Sequence, residues 1–175
     1  MARKLSRSGE QLTFAEIKRI FEERKLALKL FFSSQTPQML ADSSAKERRD
    51  LLIKHIQETD YDARLNLFAA IEAAFRIDCD YCCQQRPKNP RAKAVRKMVK
   101  TFEGVPSHRI ALSKLFEQLL ANGLVKRSVV NRLKQFFKFR NWLAHGRYWT
   151  FKSGVQPAFA DIYELAQAID GVLYK

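Results

Sequence analysis

The chain has 175 residues, 46% of them hydrophobic and 11% aromatic, with only 6 Gly and 5 Pro. That is enough apolar side chain for one domain with a core, and too much for a disordered chain. Charge is lopsided, 32 Lys plus Arg against 18 Asp plus Glu for a formal net charge of +14, so the expected partner is a polyanion.

No run approaches the roughly 18 consecutive apolar residues of a membrane span; the richest, residues 67–71, stops at Glu72. No membrane partner is expected. The opening Met-Ala-Arg-Lys-Leu-Ser-Arg has charge but no apolar stretch behind it, which points to a cytoplasmic protein with a flexible basic stretch over residues 1–12. Cys79, Cys82 and Cys83 form one odd-numbered cluster, too few for a disulfide framework or a four-ligand zinc site, and read as small apolar residues of a buried helix face.

Helical periodicity begins at Thr13, where Thr13 and Glu16 form a capping box ahead of Phe14, Ile17, Ile20, Phe21, Leu28 and Phe31. The first helix should end near Ser33, before Pro37. Ser43 or Ser44 caps a second helix through Leu51, Leu52 and Ile56, and residues 59–62 read as a break. A third helix carries Leu65, Phe68, Ile71, Phe75, Cys79 and Cys82 on one stripe, with Pro87 and Pro90 bounding the loop after it. The basic segment 91–102 has Val95, Met98, Val99 and Phe102 at helical spacing and stops at Gly104 and Pro106. Ser107 caps a fifth helix with Ile110, Leu112, Leu115, Phe116, Leu119 and Leu120, closed by Asn122 and Gly123. A sixth spans 128–145 and ends at Gly146; a last one spans 158–173, with Phe159, Ile162, Leu165, Ile169 and Leu173 inward. Residues 147–153 could form a short extended piece, but no alternating pattern is long enough for a sheet. The expected architecture is all-α, a single-domain bundle of about six to seven helices over residues 1–175.

The cations are concentrated. Residues 86–109 hold eight basic side chains against one acid, Glu103, and residues 118–160 hold eight more with no acid at all. Nucleic-acid phosphates are the natural counter-charge.

In the sixth helix the stripe Val130, Leu133, Phe137 continues by steps of three and four to Arg140, Asn141, Ala144 and His145. Phe136, Phe139, Trp142 and Leu143 cover another part of the same circumference, so the helix should be buried from more than one side, and a second copy of the chain in a two-fold pair would supply the extra cover. Asn141 and His145 share a face, whereas Arg140 starts about 140° around from His145 and must reach to converge with it. His145 lies in the last turn, where the negative helix end favours a cation. A guanidinium beside it keeps its charge as negative charge builds on a phosphate, and Asn141 can orient either ring or phosphate.

Arg140-Asn141-Trp142-Leu143-Ala144-His145, an Arg-Asn-x-x-x-His run ending a helix in a small all-α chain, resembles the signature of the HEPN superfamily. The resemblance implies a bundle of four or five helices, metal-independent endoribonuclease activity, and an active site formed across a homodimer to which each protomer contributes its Arg and His. Related proteins often carry an acidic or polar residue on an earlier core helix; Glu72 fits that position, and its alternative role is an ion pair with Arg76, four residues on. Some HEPN toxins carry a modifiable tyrosine two positions after the histidine. Here that position is Arg147, and Tyr148 follows one step later.

The candidate catalytic residues are therefore Arg140, Asn141, His145 and Glu72, and the candidate substrate contacts Arg147, Tyr148, Lys138 and Arg76. The expected substrate is RNA, cut by its own 2′-hydroxyl with His145 as general acid or base and Arg140 stabilising the phosphate. His55 and His108 read as surface residues. No His-Glu-x-x-His motif, Gly-Lys-Ser/Thr phosphate loop or spaced carboxylate cluster is present, so neither a metal nor a cofactor is expected. The resemblance suggests a toxin or phage-defence effector restrained by an antitoxin or regulatory protein. The alternative is a non-catalytic bundle that binds nucleic acid or protein, in which Arg140 and the basic stretches only contact phosphate.

Overall fold

The computed structural model describes residues 12–33, 40, 42–85, 88–102, 105, 109–147, 149–152, 154–171 and 173. They form six helices: α1 (Phe14–Ser33), α2 (Ala45–Gln84), α3 (Pro90–Lys100), α4 (Leu112–Ala121), α5 (Arg127–Ala144) and α6 (Phe159–Asp170). The chain is all-helical, with no strand among the described residues, which include 147 and 149–152 of the piece expected over 147–153. Expectations for residues 1–11, Pro37, Pro87, Gly104, Pro106, Ser107, His108 and Tyr148 lie outside the described residues.

The main departure from periodicity is the absence of a break at 59–62, because α2 runs continuously through it. That stretch holds no Gly or Pro, and its weak helix formers cost only a fraction of a kcal/mol each, about 0.7 at most. Their side chains also bond along the helix: the Thr59 hydroxyl donates to the His55 carbonyl at 2.8 Å, and the Gln57 amide donates to the Tyr61 hydroxyl at 3.0 Å. Pro90 does close the loop after α2, as expected. It is the first residue of α3, where its missing N–H costs nothing, and the Asn89 side chain caps the helix by accepting from the Ala92 N–H at 2.7 Å.

Contacts along the chain fall into two compact units, Met1–Ala63 and Arg64–Lys175, whose boundary lies inside α2. In the first, both expected caps are made. Thr13 and Glu16 exchange bonds, as do Ser44 and Glu47, so Ser44 rather than Ser43 starts α2. Ile17 and Phe21 are buried, while Phe31 is exposed and the Phe32 ring lies tilted against His55, ring centres 5.9 Å apart.

The second unit has α5 at its centre, packed on α4 and α6. A chain of edge-on aromatic contacts ties it to α2 and α4: Phe68 to Phe137 at 5.4 Å, Phe137 to Phe116 at 5.5 Å, and Phe116 to Phe75 at 5.2 Å. Arg64 turns inward from α2; it lies over the Phe139 ring and donates to the Pro157 carbonyl at 3.0 Å. Of the residues that argued for a second copy, Phe136, Phe139 and Leu143 are buried inside a single chain and Trp142 is half-buried. That apolar surface is therefore mostly covered by the chain's own residues and gives no support to a dimer.

Helix α4 ends in a Schellman turn, with the Gly123 N–H donating to Leu120 and the Leu124 N–H to Leu119. Gly123 has φ +64°, and a Cβ there would meet no atom within 4 Å. Gly123→Ala should thus cost only backbone strain, about 1–2 kcal/mol in a denaturant titration. A loss below a few tenths would show that the turn relaxes.

Cys79 and Cys82 are buried and Cys83 is half-buried. Burial, reinforced by the Asp78 carboxylate, pushes the Cys79 and Cys82 thiols up, well above the ordinary range for Cys79. Iodoacetamide at neutral pH should alkylate Cys83 first in the folded protein and reach the other two only after unfolding, as read by peptide mass. Equal labelling of Cys79 and Cys83 in the native state would contradict this packing.

Candidate functional site

The C-terminal end of α5 places the Arg-Asn-x-x-x-His run. His145 is the last half-helical residue, its N–H donating to the Asn141 carbonyl at 3.0 Å. A second Schellman turn follows: the Gly146 N–H donates to Leu143 at 3.2 Å and the Arg147 N–H to Trp142 at 3.3 Å. Gly146 takes φ +78° and Arg147 φ +58°. The left-handed region costs a non-glycine residue about 1–2 kcal/mol, so Arg147 is held in a strained conformation directly after the motif.

One-hundred-degree steps divide α5 into two arcs. Val130, Leu133, Phe136, Phe137, Phe139 and Leu143 face inward. Lys134, Lys138, Asn141 and His145, spaced four, three and four apart, face solvent. Asn141 and His145 therefore do not interrupt the apolar seam as their spacing from Phe137 suggested. They belong to a polar face continuous with two lysines. Among the described residues the His145 ring makes no hydrogen bond or ion pair.

Arg140 lies in the inward arc, about 140° from His145 around the helix axis, and meets α2. Its Nη2 donates to Glu72 Oε2 at 3.2 Å and its Nη1 to Asn141 Oδ1 at 3.3 Å, while its buried Nε has no partner. The other carboxylate oxygen of Glu72 accepts from Arg76 Nη2 at 2.7 Å and Nε at 3.1 Å. Glu72 thus makes the ion pair with Arg76 that was its alternative role, and also pairs with Arg140. Each of the three Arg76 nitrogens donates inside the protein, the third to the Ile110 carbonyl at 3.1 Å. This ties α2 to the residue ahead of α4 and leaves Arg76 poorly placed for substrate.

One carboxylate between two guanidiniums leaves a net positive charge at the cluster. The Arg140 side chain keeps 32% of its surface exposed and Glu72 keeps 24%. The structure brings Arg140, Asn141, Glu72 and Arg76 into one network, and leaves His145 and Lys138 outside it on the solvent face. Arg147 is half-buried, and Tyr148 lies outside the described residues.

The basic stretches are partly neutralised by acids from other elements. Arg91 pairs with Asp78, Arg132 with Glu164, Lys134 with Glu117, and Arg140 with Glu72. Lys126, Arg127, Lys138 and Lys152 are exposed and form no ion pair among the described residues. Sequence reasoning missed one feature beside Lys138: Trp142, on the next turn, and residues 149–152 line a shared cleft. The signal available was the four-residue spacing of Lys138 and Trp142 followed by a second aromatic-basic run.

Among the described residues, no helix is long and apolar enough to cross a membrane, and no three His, Cys, Asp or Glu side chains group as metal ligands. Comparison of the chain with protein-family models, curated proteins and solved structures finds no match.

Proposed function

We propose that the chain is a metal-independent endoribonuclease of HEPN type acting on RNA in the cytoplasm, with His145 as proton-transfer group and Arg140 as phosphate stabiliser. What carries this reading is the end of α5, where an exposed imidazole without an internal partner follows, by little more than a turn, a guanidinium anchored by Glu72 and still a third exposed. Anchoring lowers the cost of ordering the arginine when a phosphate arrives. The positive balance of Glu72, Arg76 and Arg140 favours the dianionic phosphorane-like state over the monoanionic diester.

The ribose 2′-oxygen bonds to the adjacent phosphorus as the bond to the 5′-oxygen breaks. One group takes the 2′ proton and another gives a proton to the departing oxygen. Among the described residues a single chain offers one imidazole at this end of α5, and its Arg140 starts from the other side of the helix. A pair of chains would supply both an acid and a base, and could set one copy's Arg140 beside its partner copy's imidazole. The homodimer belongs to this proposal on chemical grounds, as does the biological role the motif suggests, a toxin or defence effector held in check by an antitoxin or regulator.

The test is incubation of purified protein with total RNA in excess EDTA, reading the new ends. A 2′,3′-cyclic phosphate with a 5′-hydroxyl is expected, and DNA of the same sequence should survive because it lacks the attacking hydroxyl. A 5′-phosphate end, or RNA that stays intact, would overturn the proposal.

One observation favours the second reading, a bundle that binds nucleic acid without cutting it: the Glu72 carboxylate already pairs with Arg140. That reading predicts intact RNA together with salt-sensitive binding.

A further inference from the structure

Trp149 has 83% of its surface exposed, the most solvent-facing large apolar side chain described. It stands at a cleft of about 460 Å³ lined by Lys138, Trp142, Trp149, Thr150, Phe151 and Lys152, a volume within the roughly 300–1,000 Å³ of small-molecule sites. The cleft is built rather than incidental. The Trp142 indole N–H donates to the Trp149 carbonyl, which pins the 149–152 segment to α5. Trp142 in turn stacks on buried Phe139 at 5.4 Å and lies 5.6 Å from Phe151, so its floor is continuous with the core. Two exposed lysines flank it, and no acid occurs in residues 118–160.

An indole left in water beside an aromatic floor and two free ammonium groups matches one ligand chemistry closely. A nucleobase has an apolar face to stack and is joined to a phosphate on either side. Duplex bases expose only their edges, so stacking on Trp149 requires a base that is not paired. An acidic peptide would satisfy the lysines and leave the indole unused.

We propose that the Trp149 cleft is a stacking subsite for an unpaired base of a single strand, with Lys138 and Lys152 holding the flanking phosphates. Lys138 shares the exposed face of α5 with Asn141 and His145, so a strand seated here runs along the face that carries the imidazole. The proposal thereby rests on the nuclease reading for its biological substrate and selects unpaired RNA, but stacking needs no 2′-hydroxyl and can be measured without catalysis.

The probe is a single-stranded DNA oligonucleotide, uncleavable by the proposed chemistry, titrated into the full chain while tryptophan fluorescence and anisotropy are read. Expected are quenching on binding, a preference for the single strand over its duplex, and weakening by roughly five- to 150-fold in Trp149→Ala, with Trp149→Phe close to wild type. The Lys138→Ala/Lys152→Ala double variant should flatten the salt dependence by about 0.7 in log–log slope for each phosphate that no longer meets a lysine. Wild-type affinity in Trp149→Ala, or equal affinity for duplex and single strand, would overturn the subsite. Those results would leave the nuclease reading standing if RNA is still cut. Trp149-dependent binding without RNA cleavage would instead sink the nuclease reading and keep the subsite.

Discussion

Replacing His145 with alanine should lower RNA turnover about 10²- to 10⁴-fold while leaving RNA affinity and thermal stability near wild type. The separation follows from where the residue sits. Its backbone N–H closes the last turn of α5 on the Asn141 carbonyl, and alanine keeps that bond. Its ring is exposed and makes no hydrogen bond or ion pair among the described residues, so folding loses little, within about 0.5 kcal/mol for such surface changes. A proton-transfer role appears in kcat with KM unmoved, because the group matters only as the bonds at phosphorus change. Cleavage by the variant at the wild-type rate would remove His145 from the mechanism. Arg140→Ala is a less clean probe: it also strips Glu72 of a partner and mixes a stability loss into any activity loss. Arg140→Lys preserves the charge without the fork, so a deficit there with the fold intact points to guanidinium geometry.

The element pattern was largely legible because it rests on short-range rules. Thr13 with Glu16, Asn122 with Gly123, and Gly146 after His145 are local signals, and each marks a helix end. What periodicity could not supply was azimuth. Aromatic and aliphatic positions wrap so far around α5 that the spacing from Phe137 fits both Arg140 and Asn141. Only packing against α2 assigns the first to the inside and the second to solvent. The same ambiguity made Phe139 look like part of a dimer surface, since the sequence does not say that Arg64 and Phe151 already pack on its ring. The break expected at 59–62 failed for a different reason: residues that favour turns in isolation bond along the helix once its ends are fixed. The cleft depends on a hydrogen bond between residues seven apart, Trp142 and Trp149, which no periodic pattern encodes.

The largest stability effect should come from a residue outside the candidate site. Asp78 is 1% exposed and takes both ends of the Arg91 guanidinium, at 2.9 and 2.7 Å, joining α2 to α3. Burial alone would depress the Arg91 guanidinium, but the Asp78 bonds reverse that and raise it. Asp78→Ala should cost about 3–5 kcal/mol because it leaves a partly buried cation without its carboxylate, or roughly 6–20 °C in Tm for a chain of this size. Arg91→Ala should also destabilise, because it removes both bonds to a carboxylate that is only 1% exposed. A hydrophobic pair, Asp78→Leu with Arg91→Met, should recover most of the loss, since a buried ion pair is worth little against well-packed apolar atoms. The pair also orients α3, whose Lys93, Lys97 and Lys100 share one exposed face at helical spacing. If that face contacts phosphate, the hydrophobic double variant should keep wild-type RNA affinity and salt dependence, while Asp78→Ala, measured below its melting range, should bind more weakly with a shallower salt slope. Unfolding midpoints that differ by less than about 1 kcal/mol between wild type and Asp78→Ala would show that α3 is held by Val95 and Met98 alone.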